Sequence, residues 1–267
     1  MLFRRKKCSQ CDSQYDIVSE TCPVCHAKNE EFEALKIPKN HVWIPFEREI
    51  LLFIFGIILL NLVSLIMQLF LTDDSVQTLM IINGTRYAVV AVTMGCALIG
   101  RYKNFKNSFV KPIPYLIGLG GGVALILFSI LYSNFIASVY PTEPNANQTA
   151  ANALVTTYPV LSILLLGIVG PAVEELTYRV GLFSLLTRVH RAVAYIVTIL
   201  IFALIHFNFF AKGDAMINEL LNLPSYVIAG ALLCFLYDRF GLGASLTAHV
   251  INNLVSVILA IVASSMK

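Results

Sequence analysis

The sequence predicts an all-α, polytopic helical membrane protein with a small metal-binding head at its amino terminus. Of its 267 residues, 57% are hydrophobic and 13% charged. With a mean hydropathy of +0.75, the chain has too little polar surface to cover a soluble domain of its size. A hydrocarbon core about 30 Å thick takes roughly 20 apolar residues per helix, and such runs recur after residue 48, enough for about seven transmembrane helices with short connections. Four of the six cysteines fall in the first 25 residues. The composition excludes an ordinary cytosolic enzyme. The net charge of +3 is spread along the chain without a long basic stretch, which argues against nucleic acid as a main partner and leaves the lipid bilayer as the first one.

The head is residues 1–27. Cys8-Ser-Gln-Cys11 and Cys22-Pro-Val-Cys25 are two CxxC knuckles separated by ten residues. Four thiolates on such a hairpin can hold one structural zinc, which a segment without a hydrophobic core of its own needs in order to fold. Two disulfides, or a c-type haem on Cys22-Pro-Val-Cys25-His26, are the alternatives. Both require export, whereas the opening Arg4-Arg5-Lys6-Lys7 favours the cytoplasm. The knuckles resemble the zinc-ribbon heads that precede many bacterial membrane domains. His26 is an alternative fourth ligand. Residues 1–48 contain no apolar h-region, so no cleavable signal peptide is expected. Residues 28–48 form a polar linker with Glu30, Glu31, Glu33, Lys36 and Lys39, and Trp43 reads as an interfacial anchor.

The transmembrane domain, 49–267, opens with a span at about 49–71 and a weaker one at about 78–100. Asn83, Gly84 and Arg86 mark the first half of the second as interfacial. The basic loop Arg101 to Lys111 belongs in the cytoplasm by the positive-inside rule, on the same side as the head. The third span, about 114–138, carries Gly118, Gly120, Gly121 and Gly122 for close helix packing. The loop at 141–153 has no basic residue and fits the outer face. The chain re-enters at about 154, and Arg188 and Arg191 mark a cytoplasmic turn. Further spans follow at about 192–210, 220–237 and 243–263. Cys96 and Cys234 read as small buried hydrophobes.

A charge at the centre of a membrane helix costs about 2.5–3.5 kcal/mol on insertion scales, so ionisable groups inside spans are functional candidates. In the last four spans these are Glu174, Glu175, Arg179, His206 and His249, with the polar Asn252 and Asn253 beside them. Glu175 and Arg179 are four apart on one helical face and can neutralise each other. Glu174 is turned by about 100° and is left for another partner. Phe202 and His206 share a face, as do His249 and Asn253. A carboxylate, two imidazoles and a carboxamide are a complete set for hydrolysis: one pair activates water and the other stabilises an oxyanion.

Glu174-Glu175-Leu-Thr-Tyr-Arg179 fits EExxxR, Phe202 to His206 fits FxxxH, and His249 to Asn253 fits HxxxN. In this order and spacing the chain resembles the CPBP intramembrane proteases, which include the type II CAAX prenyl endopeptidases and bacteriocin-processing and immunity proteins. The resemblance covers about 154–260. It implies an intramembrane endopeptidase in which Glu174 and His206 activate water, His249 and Asn253 hold the oxyanion, and Glu175, Arg179 and Phe202 support the site. The head and the first spans lie outside this core and say nothing about its chemistry. The family is also described as metalloproteases, and Glu174, His206 and His249 offer a ligand set for a catalytic zinc, so metal-bound and glutamate-activated water both stay open.

At 1.5 Å rise per residue, straight helices place His249 roughly 9 Å and His206 roughly 21 Å from the cytoplasmic face. A bend at Gly170-Pro171, an early start to the span carrying His206, or helix tilt would reconcile the depths. The expected site is a shared water-filled cavity opening toward the cytoplasm. The expected substrate is a secreted-peptide precursor or membrane protein, and the expected location is the bacterial cell membrane with the head in the cytoplasm. A non-catalytic scaffold or immunity protein of the same fold is the main alternative. A transporter is disfavoured because the two halves show no inverted repeat.

Overall fold

The computed structural model describes residues 3, 5–35 and 38–266, and within them the side chains of all but Glu33 and Asn107. Arg4 and Lys36 therefore lie outside the described residues. The head pairs β1 (Arg5–Lys7) antiparallel with β2 (Gln14–Asp16). Two knuckles flank this ribbon, packed on Tyr15. Six helices among the described residues are long and apolar enough to span a bilayer: α1 (Phe46–Phe70), α2 (Val76–Ala97), α4 (Pro112–Val139), α6 (Pro159–Thr187), α8 (Asp214–Phe240) and α9 (Leu242–Ser265). A seventh apolar helix, α7 (Arg191–Leu204), is shorter. Its 14 residues rise only about 21 Å. The chain is thus a polytopic helical membrane protein.

Two further helices occupy segments expected to be loops. The basic loop folds into α3 (Tyr102–Val110). The outer loop becomes α5 (Ala146–Thr157), where the Asn145 side chain accepts the Gln148 N–H at 2.9 Å and caps the helix. Gly118, Gly121 and Gly122 do meet neighbouring helices: a methyl group at Gly118 or Gly122 would press on Ala244, Thr247 or Ile251 of α9, whereas Gly120 faces open space. The α4–α9 seam is accordingly a close backbone approach.

The head is bolted to one end of the bundle through buried charges. Arg188, just past α6, donates to both oxygens of Asp16 at 3.1 Å and, through Nε, to Glu49 of α1 at 2.7 Å. Asp16 also accepts the Phe46 N–H at 3.1 Å, so a head carboxylate caps α1. Nearby, the His41 Nε2–H donates to Asp238 at 3.0 Å, and Arg191 and Tyr195 converge on the same carboxylate.

Two expectations change here. Trp43 is buried, donates to the Pro38 carbonyl and lies under the Arg188 guanidinium at 5.4 Å, so it belongs to the head–bundle junction and not to a lipid interface. Arg188 sits at the expected turn, with its side chain buried. Cys96 is exposed on the bundle surface, while Cys234 is buried as expected.

Burial holds His41 below the usual histidine range against the opposing pull of Asp238. A depressed folded value means that the unfolded chain binds the proton more readily. This contribution to stability is therefore complete above the ordinary histidine pKa of about 6.5 and is lost as pH falls toward the lowered value. Thermal unfolding in detergent should show a lower midpoint at pH 5 than at pH 7, with a smaller difference in His41→Gln.

Candidate functional site

The site is built on α6, α7 and α9, and α6 is not a regular α-helix. Wide π-helical turns occupy Leu165–Val169 and Leu176–Phe183, and the α-helical Gly170–Glu175 lies between them. Such turns are common at functional sites because they re-aim side chains. Pro171 explains the first one. In the wide register the Leu165 carbonyl takes the Gly170 N–H, and the next carbonyl, Leu166, would face residue 171, which has no N–H. The Asn253 carboxamide of α9 fills that vacancy, donating to Leu166 O at 3.3 Å. Gly170 keeps helical angles, so the expected bend is replaced by a change of helical register.

Glu174 and Glu175 leave this short α-helical stretch in different directions. Glu175 is fully buried, and its Oε1 accepts from His249 Nδ1 at 2.9 Å. Arg179 Nη1 lies 3.1 Å from the same oxygen, without hydrogen-bond alignment, and its guanidinium rests 4.7 Å over the Phe202 ring. The pair is thus held by charge and by the aromatic face. Glu174 is partly exposed and lines the cavity, 3.7 Å from His249 Nε2. His249 therefore stands between the carboxylates, with Nδ1 on Glu175 and Nε2 toward Glu174.

His206 lies two residues beyond α7. Its Nδ1–H donates to the Phe202 carbonyl at 2.8 Å, leaving Nε2 to accept from water. The ring stacks on Tyr226 of α8, with centroids 4.5 Å apart and planes at 15°. The Phe202 ring neighbours both imidazoles, its centroid 5.1 Å from His206 and 5.9 Å from His249.

Glu174, Phe202, His206, Tyr226, His249, Asn252 and Asn253 border one cavity of about 820 Å³, and Glu175 and Arg179 lie behind its wall. Its mouth corrects the expectation of a cytoplasmic opening on the head side. The lining continues to Thr142, Glu143, Pro144, Asn147 and Gln148, at the end of the bundle opposite the head. The reading that the first spans say nothing about the site is also revised, since α2 contributes Asn83, Arg86 and Tyr87. Arg86 is not interfacial. It lies mid-helix beside Tyr87, and among the described residues it forms no ion pair. An intramembrane arginine was the signal available in the sequence. Nothing in a motif marked Tyr226.

In the head, the Sγ atoms of Cys8, Cys11, Cys22 and Cys25 lie within 4.8 Å of one another, and all four thiols are free. Four converging thiolates suit one tetrahedral metal ion. His26 is exposed and outside the set. Among the described residues no second group of three potential ligands converges in this way, and Glu174, His206 and His249 do not fit a shared ion in this arrangement.

Residues 156–255 match the family model of type II CAAX prenyl endopeptidase Rce1-like proteins. The membrane core is therefore similar in fold to an intramembrane protease family. A stretch of 155 residues is 24% identical to the UPF0177 protein YvdC of Lactococcus lactis subsp. lactis (strain IL1403), covering 58% of this chain and 55% of that protein. The chain thus spans about half the length of this curated relative. No solved structure matches.

Proposed function

We propose that the protein is an intramembrane endopeptidase that hydrolyses peptide bonds by water activation, and that its head holds a structural zinc. The supporting observation is that Glu174, His206, His249 and Asn253, drawn from three elements, border one cavity. Glu174 takes a proton from a water that also donates to His206 Nε2, and the hydroxide adds to the peptide carbonyl carbon. With Nδ1–H on Glu175, His249 serves the oxyanion as the imidazolium, donating Nε2–H, and the second N–H of the Asn253 carboxamide donates beside it. Collapse of the tetrahedral intermediate breaks the C–N bond, and Glu174 returns its proton to the departing amine. Glu175 orients His249 through Nδ1, and Arg179 neutralises Glu175. No step needs a metal at this site. Glu174, His206 and His249 do not converge on one, whereas the head cysteines do.

His206→Ala and His249→Ala, reconstituted in proteoliposomes and assayed on a panel of membrane-associated peptides, should each lose cleavage that the wild type shows. Cleavage retained by both would contradict the assignment. Tyr226 acts through the His206 ring. Tyr226→Leu should lower kcat roughly tenfold or more, because small misplacements of a reacting group are costly. Tyr226→Phe, which keeps the stacked ring, should retain most of it. A loss shared equally by both variants would instead point to the hydrogen bonds that Asn145 and Asn147 donate to the Tyr226 hydroxyl.

For the head, metal analysis should find one zinc per chain. Cys8→Ser combined with Cys22→Ser should release it and expose residues 1–35 to protease, because binding and folding of such a segment are one event. A metal content unchanged in that double variant would contradict the zinc site.

A further inference from the structure

We propose that the cavity is filled from the extracytoplasmic side, so that the substrate is an unfolded peptide segment of an exported or membrane-anchored protein presented outside the cell. The chemistry rests on the hydrolase reading, but the route does not.

Two features of the cavity separate its ends. At the far end the mouth is a braced opening. The buried Glu219 carboxylate of α8 accepts from the Ala146 N–H at 2.9 Å and the Asn208 N–H at 3.1 Å, tying together the two connections that frame the mouth. The Tyr226 hydroxyl accepts from Asn147 at 3.2 Å, and the Tyr132 hydroxyl donates to Leu221 O at 2.9 Å. Toward the head the cavity ends at a buried layer, and a separate apolar pocket of about 390 Å³ beside Leu98, Phe105 and Leu246 stops at Glu175 on the other side of it. Glu175, Arg179 and Tyr178 are buried below the cavity. Beneath them the Ser184 and Tyr237 hydroxyls share a 2.7 Å hydrogen bond, and His41 stacks on Tyr237. A chain approaching from the head would have to displace the buried Glu175–Arg179 pair.

The charges say which face is which. The membrane domain ends nearest the head carry Arg48, Arg101, Lys103, Lys106, Lys111 and Arg239. On the connections at the opposite end Lys212 is the one Lys or Arg among the described residues, beside Asp73, Asp74, Glu143 and Asp214. Basic residues close to helix ends are retained in the cytoplasm. The mouth therefore opens outward.

The test is accessibility in intact cells. Gln148→Cys at the mouth, Lys212→Cys on the same face and Lys103→Cys on the head face are each treated with a membrane-impermeant maleimide before and after permeabilisation, with the wild type giving the background from native cysteines. Gln148→Cys and Lys212→Cys should be labelled several-fold above background in intact cells, and Lys103→Cys only after permeabilisation. Protection of the first two until permeabilisation overturns the proposal. In parallel, a fluorogenic pool of unstructured peptides is supplied outside or sealed inside vesicles of the orientation so determined. Cleavage should require the peptides on the Gln148 side, and cleavage from the Lys103 side alone overturns the route. If the labelling is as expected but neither pool is cut while a membrane-associated peptide panel is also left intact, the hydrolase reading fails and the sidedness stands.

Discussion

Glu174→Gln should leave a folded protein with cleavage reduced by about 10²–10⁴-fold, the range that one positioned acid or base contributes. The substitution keeps the size of the side chain and removes the ability to take the proton from water. Glu174 is also the group that structural disruption should touch least: it is partly exposed to the cavity, and its closest charged neighbour, His249 Nε2, is 3.7 Å away. Glu175→Gln should behave differently. Its carboxylate is fully buried between Arg179 and His249, so the variant leaves an uncompensated guanidinium and should lose stability together with activity. Size-exclusion profiles and thermal unfolding, measured beside the cleavage rate, separate the two. Equal stability losses in both variants would contradict the division of roles between the adjacent glutamates.

Arg188→Leu should destabilise the whole molecule. The Arg188 side chain is fully buried with Glu49 and nearly buried Asp16 as partners. Removing one member of a buried charge set costs about 3–5 kcal/mol because the others remain unpaired. Here two carboxylates are left, one from the head and one from α1. The damage should spread in both directions, loosening the head and freeing the end of α6. Unfolding midpoints in detergent should fall by several degrees, and protease should reach residues 1–45 faster. A triple variant that also carries Glu49→Gln and Asp16→Asn should recover part of the loss. No recovery would mean that packing of the Arg188 stem, and not its charge, holds the junction.

The membrane architecture was legible because the bilayer imposes a length rule that single residues obey plainly. The motif positions were legible because charges and imidazoles stand out against an apolar background. Glu175 and Arg179 meet as the i,i+4 spacing suggests, whereas the hydrogen bond from His249 to Glu175 had no signal in the sequence. What the sequence hid depends on context between elements. Pro171 signals a disturbance in α6, but nothing local says that it becomes a π-helical turn whose spare carbonyl is taken by Asn253, 87 residues away. Trp43 fits an interfacial anchor by residue type and position, and only the docking of the head buries it. Arg86 weakened the prediction of a second span for the same reason that it matters: it faces a cavity and not lipid. The direction of the mouth was misjudged because depth was measured along each helix alone. The opening is decided by the Thr142–Gln148 segment, by α8, and by the buried layer on the head side.

The most direct test of water activation by Glu174 is mass spectrometry of peptides incubated with proteoliposomes in ¹⁸O-labelled water, comparing the wild type with Glu174→Gln. The expected result is new carboxyl termini carrying one ¹⁸O with the wild type and none above background with the variant. The same labelled products at the same rate from both proteins would contradict the assignment of Glu174 and, with it, the mechanism.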